Sequence, residues 1–348
     1  MNTIIDKDLL SIQEARILAE NAREAQKVLA TFTQEQLDAI VDRMAEEIDK
    51  YAKELAVMSV DETDYGVWQD KYIKNRFVCE YLRGKLKGLH CVGIIHRDEV
   101  NKTMDVGVPI GVIASLCPAT SPVSTTIYKV LIAVKAGNAI VVSPHPRAQK
   151  TIGRVLDIMI EAGRKCGLPE GAVSYLHAVA KAGTLELMNH KAVSLILIAG
   201  VPTMLDAASK AGKPVIYGGT GNGPVFVERT ADIPKAVHDI VISKTFDNGV
   251  VTGGEQSVVV DGVIAEQVKQ ELQRAGAYFM TEEEADRLGR ILFREDGKTD
   301  AEMAGKSAKY LARLARIQVP DNTVLLISEQ KYVSVKNPYS REKLCPVL

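Results

Sequence analysis

The sequence predicts an α/β protein in which a parallel sheet, covered by helices on both faces, is followed by a second α/β domain. Three observations lead there. From Val108 onward short, uniformly apolar runs recur; amphipathic helical stretches separate several of them; and glycine or proline closes most elements. Strands that are apolar throughout are buried on both faces, which is the habit of parallel sheets linked by helices. At 348 residues the chain has room for two domains and a substantial core. The first domain is placed over 1–230 and the second over 231–348.

Taken in order, the first hundred residues read as helices. Ser11-Ile12-Gln13-Glu14 and Thr33-Gln34-Glu35-Gln36 both fit the capping box, in which the first and fourth residues satisfy each other's free amides. After the second box Leu37, Ile40, Val41, Met44 and Ile48 share one helical face. A break is expected at 61–64, then a helix through 71–86. Next come the strand Ile110-Gly111-Val112-Ile113-Ala114-Ser115-Leu116, a helix over 124–135 closed by Gly137, and the strand Ala139-Ile140-Val141-Val142. A helix marked by Ile152, Val155, Leu156 and Met159 precedes apolar strands at 173–176, 195–198, 215–217 and 225–227, with one helix, 202–210, among the last three. Asp232 is positioned to cap a helix carrying Ala236, Val237, Ile240 and Val241. The remainder reads as a strand at 256–260, helices near 264–274, 282–293 and 308–317, and a strand at 323–327.

Composition narrows the function classes. A formal net charge of -1 gives no field that favours nucleic acid or anionic membrane, and 5% aromatic content offers no stacking platform for bases. No uncharged run reaches the ~18 residues of a membrane span. MNTIIDKDLL puts charges where a signal peptide needs its apolar core. The five cysteines lack CxxC or metal spacing and are odd in number, so they read as reduced thiols in a cytoplasmic protein. His90, His96, His177, His190 and His238 show no ligand spacing either, so no metal is expected.

The stretch most able to carry chemistry is 243–256, SKTFDNGVVTGGEQ, where an Asn248-Gly249 turn separates a helix from a strand and can present one side chain to a cleft. With Asp70-Lys71-Tyr72-Ile73-Lys74-Asn75, Pro109-Ile110-Gly111-Val112-Ile113 and Ser143-Pro144-His145-Pro146-Arg147-Ala148, in this order, the chain resembles the CoA-acylating aldehyde dehydrogenases, including the aldehyde half of bifunctional aldehyde–alcohol dehydrogenases. That resemblance implies the aldehyde dehydrogenase fold: a Rossmann-like sheet for NAD, a catalytic domain, and an oligomerisation strand pair near 96–108. It also implies that a buried strand starts at Leu344-Cys345-Pro346-Val347-Leu348 and that the family's chains continue beyond it, so the second domain is expected to be incomplete.

Residue by residue, the resemblance implies roles for five loops and departures in three. Thr120 lies on the cofactor side of Cys117-Pro118-Ala119-Thr120-Ser121-Pro122, and Ser121 stands where the family has an asparagine that donates to the developing oxyanion. Cys117 reads as a strand-end core thiol rather than a substitute nucleophile. Ser143, Pro144, His145 and Arg147 face the adenosine end of NAD. Gly200, Val201 and Met204 belong to the turn under the pyrophosphate, but Val201 and Thr203 replace expected glycines; a β-branched residue there is expected to remove left-handed freedom and crowd the phosphate. Gly218 and Gly219 line the nicotinamide end, and Gly218 replaces the water-activating glutamate of hydrolytic members, which points to coenzyme A as co-substrate. Thr252 stands at the position of the nucleophilic cysteine. A threonine hydroxyl needs a dedicated base where a thiol needs only a lowered pKa. Two readings follow: an NAD- and CoA-dependent oxidoreductase for a short aldehyde or its acyl-CoA, homo-oligomeric and impaired at Thr252, or a catalytically silent paralogue or altered copy acting as a structural, regulatory or binding subunit.

Overall fold

Residues 6–348 are described by the structure, a computed structural model; the first five residues of the N-terminal stretch read against a signal peptide lie outside it. The chain divides into two compact units, Met1–Thr63 with Lys71–Gly219, and Asp64–Asp70 with Thr220–Leu348. The division falls earlier than 230/231 because the strand at 223–227 does not join the first sheet. Its apolar composition is the same as that of its predecessors, and composition does not choose a sheet.

The first unit begins with helices α1 (Lys7–Leu29), α2 (Gln34–Asp49) and α3 (Ala52–Thr63). α1 starts earlier than Ser11: Asp6 is its N-cap, accepting from the amides of Asp8 and Leu9, so the first proposed capping box is a mid-helix segment. The second box is present, with Thr33 and Gln36 bonded reciprocally at the start of α2. α4 (Trp68–Phe77) continues through a π-helical turn at Val78–Leu82 into α5 (Arg83–Leu86). An antiparallel hairpin follows, β1 (Gly93–Asp98) with β2 (Thr103–Gly107).

The alternating segment is β3 (Val112–Leu116), α6 (Pro122–Lys135), β4 (Ala139–Ser143), α7 (Gln149–Arg164), β5 (Val173–Tyr175), α8 (Lys181–Asn189), β6 (Val193–Ile198), α9 (Leu205–Lys210) and β7 (Val215–Tyr217). The five strands are parallel, in the order β5-β4-β3-β6-β7. Successive side chains point to opposite faces. Val112, Ala114, Leu116, Val141, Ile196 and Ile198 therefore pack with Ala15, Ala19 and Ala22 of α1 and with Leu187 and Met188 of α8. Ile113, Ile140 and Val142 turn the other way and are equally buried, as are Leu37 and Ile40 of α2, Val130 and Val134 of α6, and Val155 and Met159 of α7. α8 has no counterpart in the sequence reading. It approaches α1 so closely that a Cβ on Gly183 would lie 1.9 Å from the Ser11 hydroxyl.

In the second unit β8 (Gly223–Val227) pairs in parallel with β9 (Glu255–Val260), and α10 (Ile233–Thr245) connects them with Asp232 as its N-cap. α11 (Ala265–Arg274), β10 (Ala277–Phe279), α12 (Glu282–Leu292), α13 (Ala308–Leu314) and β11 (Leu325–Ile327) complete it. β10, absent from the sequence reading, pairs in parallel with β11. The end of the chain runs beside β11: Leu348 donates to the Leu326 carbonyl and Leu326 to that of Pro346, with Cys345, Val347 and Leu348 buried.

Candidate active site

A parallel sheet sends every strand's C-terminal end to one edge, and most of the residues singled out above follow those ends. Leu116 is in register with Ser143 and Ile198, and Ile198 with Tyr217. The loops bearing Thr120 and Ser121, then Ser143, Pro144, His145 and Arg147, then Gly200, Val201 and Met204, then Gly218 and Gly219, therefore share one edge. Strand order reverses between β3 and its two neighbours β4 and β6, the switch point at which open α/β sheets bind ligands. At this crevice the loops after β3 and β6 touch: an added Cβ on Gly200 would come 2.8 Å from that of Pro118.

Lysines hold the β3 loop from below and beside. Lys129, fully buried on α6, donates to the carbonyls of Leu116 (2.6 Å) and Leu197 (3.0 Å), and burial lowers its pKa. Lys71 of α4, also buried, donates to the Thr120 carbonyl at 2.9 Å, and Lys74 donates to the Ser121 hydroxyl at 2.8 Å. An ammonium that donates to an alcohol oxygen leaves that alcohol's own proton to point elsewhere, so Ser121 retains donor capacity. Sequence reasoning did not single out these lysines, although Lys71 and Lys74 stand inside a matched string. Cys117 is buried, 3.8 Å from the Ser115 hydroxyl, in keeping with a core thiol.

The adenosine loop departs from expectation at its first residue. Ser143 is 4% exposed and its hydroxyl is bonded to that of Thr184 at 2.8 Å, so it is turned into the core and not offered to a ligand. His145 accepts from the Arg147 amide through Nδ1 at 3.1 Å, and burial, then the Arg147 charge, lowers its pKa. The imidazole is thus neutral with its proton on Nε2.

At the β6 turn a second expectation is corrected. Val201 adopts φ 49°, ψ 52°, directly after Gly200 at φ 64°, so left-handed geometry is kept despite the β-branch. Its side chain packs against the core cluster of α1, α8 and the sheet. Left-handed backbone costs a residue with a Cβ roughly 1–2 kcal/mol. Thr203 is exposed. At Gly218 and Gly219 an added Cβ would meet nothing within 4 Å, which leaves room for a ligand.

In the second unit the turn after α10 is built on three successive left-handed residues, Asp247 (φ 52°), Asn248 (φ 50°) and Gly249 (φ 73°). Neighbouring backbone and the Asp70 carboxylate fix them. The Asp247 amide donates to Asp70 (2.6 Å), its carboxylate accepts from the Val67 amide (2.8 Å), and Asn248 donates to the Gly305 carbonyl (2.9 Å). A Cβ on Gly66 would lie 1.8 Å from the Asp247 carboxylate, and one on Gly249 would lie 2.6 Å from the Cys345 carbonyl carbon. These bonds explain why 64–70 belongs to this unit.

Thr252 follows on this rigid support and is exposed; among the described residues nothing hydrogen-bonds to its hydroxyl. Gly221 backs it so closely that a Cβ there would be 1.9 Å from the Thr252 carbonyl oxygen. Beneath lies a buried polar cluster. Gln256 accepts from Lys244 Nζ (2.9 Å) and the Lys343 amide (2.7 Å), while Lys343 Nζ donates to the carbonyls of Tyr339 and Arg341. Burial depresses Lys244 to about 8 and Lys343 to about 7. Glu342 accepts from the Gly221 amide at 2.9 Å, and burial raises its pKa. One carboxylate oxygen of Glu255 is buried without a partner.

The model of the aldehyde dehydrogenase family matches residues 3–287. The chain belongs to this family. Within it the acylating branch is the one it resembles throughout. It is 37% identical to the bifunctional aldehyde-alcohol dehydrogenase AdhE of Escherichia coli over 97% of this chain and 38% of that protein, so it spans little more than a third of that relative. It superposes on the acetylating aldehyde dehydrogenase of Geobacillus thermoglucosidasius with a TM-score of 0.95 at 42% identity, covering 99% of this chain and 76% of that one. For the propionaldehyde dehydrogenase of Rhodopseudomonas palustris, solved with bound CoA and an acylated cysteine, the TM-score is 0.82 at 26% identity, over 96% of this chain and 75% of that one. Among the described residues of this family member no helix is long and apolar enough to cross a membrane, and no group of three or more His, Cys, Asp or Glu is placed to hold a metal ion.

Proposed function

We propose that this chain carries the scaffold of an NAD- and coenzyme A-dependent oxidoreductase, interconverting a short aldehyde such as acetaldehyde with its acyl-CoA, and that Thr252 deprives it of most of that turnover. The observation behind this reading is the exposed Thr252 hydroxyl, held on a turn fixed by Asp247 and Asn248 with no base bonded to it. A bound nicotinamide dinucleotide would supply the hydride acceptor. The residues at the sheet edge suit it: a left-handed Gly200-Val201 turn, open glycines at 218 and 219, and a donor-bearing loop after β4.

A side chain at 252 has to add to the aldehyde carbon, hold the acyl group while hydride leaves, and then release that acyl group to a thiol. A cysteine thiolate forms a thioester, which exchanges readily with coenzyme A. Threonine would have to lose a far more tightly held proton, and the oxygen ester that formed would be a poorer acyl donor. The R. palustris relative with its acylated cysteine supports the thiol route for the family. The exposed apolar residues Ile94, Ile95, Met104 and Val106 on the β1–β2 hairpin support homo-oligomerisation and, as a second reading, a non-catalytic subunit that assembles with active homologues.

The test is NADH formation from acetaldehyde and coenzyme A by the chain as it stands, beside Thr252→Cys. Wild type is expected to stay well below the ~1–10³ s⁻¹ of ordinary enzymes, with the variant at least ~10²-fold faster. Wild-type turnover in the ordinary range would refute the proposal.

A further inference from the structure

The second unit contains two Asn-Gly pairs, Asn222-Gly223 and Asn248-Gly249. A glycine after asparagine leaves the following backbone nitrogen uncrowded, so that it can attack the side-chain amide carbon and close a five-membered ring. By sequence the two pairs are equivalent. The structure separates them.

Asn248 is half-buried and held at φ 50°, ψ 38°, with its side-chain amide donating to the Gly305 carbonyl at 2.9 Å. Ring closure there requires the Gly249 nitrogen to swing round to the side-chain side of the Asn248 Cα. Gly249 is packed so closely that a Cβ on it would lie 2.6 Å from the Cys345 carbonyl carbon, and the turn opposes that rotation. Asn222 is exposed, and among the described residues its side chain is tied only through Nδ2, to the Ser340 carbonyl at 2.9 Å. A single bond open to water holds a side chain weakly. Gly223 opens β8 where the ladder with β9 slips between Gly223 and Pro224, and nothing lies within 4 Å of where its Cβ would stand. The attacking nitrogen and the leaving amide both have room.

We propose that Asn222 is a site of spontaneous deamidation. The Gly223 nitrogen bonds to Asn222 Cγ and gives up its proton, the Cγ–Nδ2 bond breaks and ammonia leaves; water then opens the succinimide ring to aspartate or isoaspartate. The product is a carboxylate, which only accepts and has no proton for the Ser340 carbonyl. The tie between the glycine loop and 338–340 is lost with it. Nothing in this chemistry depends on catalysis at Thr252.

The test is incubation of the full chain at mildly alkaline pH, with peptide mapping of both pairs in one sample. Conversion at Asn222 is expected to be at least about tenfold faster than at Asn248, whose turn must first open. In urea the two are expected to convert at similar rates. Gly223→Ala, which the open space around Gly223 accommodates, is expected to slow conversion at 222 by roughly tenfold and to leave 248 unchanged. In hydrogen exchange Asn222→Asp is expected to lose protection at the Ser340 and Arg341 amides. Folded-state conversion at 222 no faster than at 248, the same imbalance in urea, or a rate untouched by Gly223→Ala would each overturn the assignment of the site. Exchange at 340 and 341 equal to wild type would overturn the loss of the tie.

Discussion

Thr252 and Val201, both read in the sequence as departures from the family pattern, act on different terms. Thr252 lies outside the left-handed residues of its turn and bears on which atom is offered for attack. Val201 carries backbone strain, because a β-branched side chain is held at φ 49°. Its cost is testable. Away from left-handed sites, alanine is more stabilising than glycine by roughly 0.5–1 kcal/mol. At 201 the order is expected to reverse, with Val201→Gly more stable than Val201→Ala by about 1 kcal/mol in urea unfolding. An alanine variant that is the more stable of the pair would show that the turn is not left-handed in solution. Both residues were singled out in the sequence, but the direction of a side chain was not legible there. Valine was expected to crowd the phosphate and instead packs on the core, and Ser143 was expected to face the ligand and instead bonds Thr184.

Among elements, the turn after α10 and the lysine cluster beneath it decide how firmly position 252 is held. Gly249 combines φ 73° with a neighbouring carbonyl carbon 2.6 Å from where a Cβ would go. Gly249→Ala is expected to destabilise the second unit by about 2–4 kcal/mol, from left-handed strain plus overpacking; a urea midpoint within error of wild type would contradict that. The lysines give a pH signature. Folded Lys343 titrates near 7 and Lys244 near 8, whereas an unfolded lysine titrates near ~10.4. Above about pH 7 the unfolded chain therefore binds more protons than the folded one, and stability rises with pH. Cys345, pushed up to about 11 by burial, works in the opposite sense once unfolded thiols ionise near ~8.5. The rise should accordingly be sought between pH 7 and 8.5, on the order of 1 kcal/mol, and be smaller in Lys343→Met. Flat or falling wild-type stability across that window would mean that these ammonium groups are better solvated than their burial implies. Elements with strong local signals were legible: the Thr33 capping box, the Asp232 cap and the Asn248-Gly249 turn all stand where the sequence puts them. α8 and β10 were not. α8 buries small or weakly apolar residues such as Gly183 and Thr184 alongside Leu187 and Met188, and β10 is three residues long.

For the whole molecule, fold class and family were readable because they rest on strings and periodicities spread over the full length. Sheet membership was not, since β8 looks like another strand of the first sheet and is claimed by β9 through pairing that no local pattern encodes. The lysines under the crevice were missed for a related reason. A lysine among apolar residues, such as Lys129 between Tyr128 and Val130, reads as a helix's solvent face until the partners of its ammonium are known. The exposed apolar hairpin belongs to this scale as well. Ile94, Ile95, Met104 and Val106 are each about half exposed in the single chain, a patch that isolated proteins seldom leave in water. Light scattering is expected to report an oligomer that Val106→Asp weakens or dissociates, and a monomeric wild type would remove the proposed role of the hairpin.

The proposed loss of turnover comes down to whether an acyl group can be held at 252. Incubation with acetyl-CoA followed by intact-mass analysis and peptide mapping reads this directly. Thr252→Cys is expected to gain one acetyl group at that residue, and the wild-type chain none. An acetyl adduct on wild-type Thr252, or on the thiol of Cys117, would contradict it.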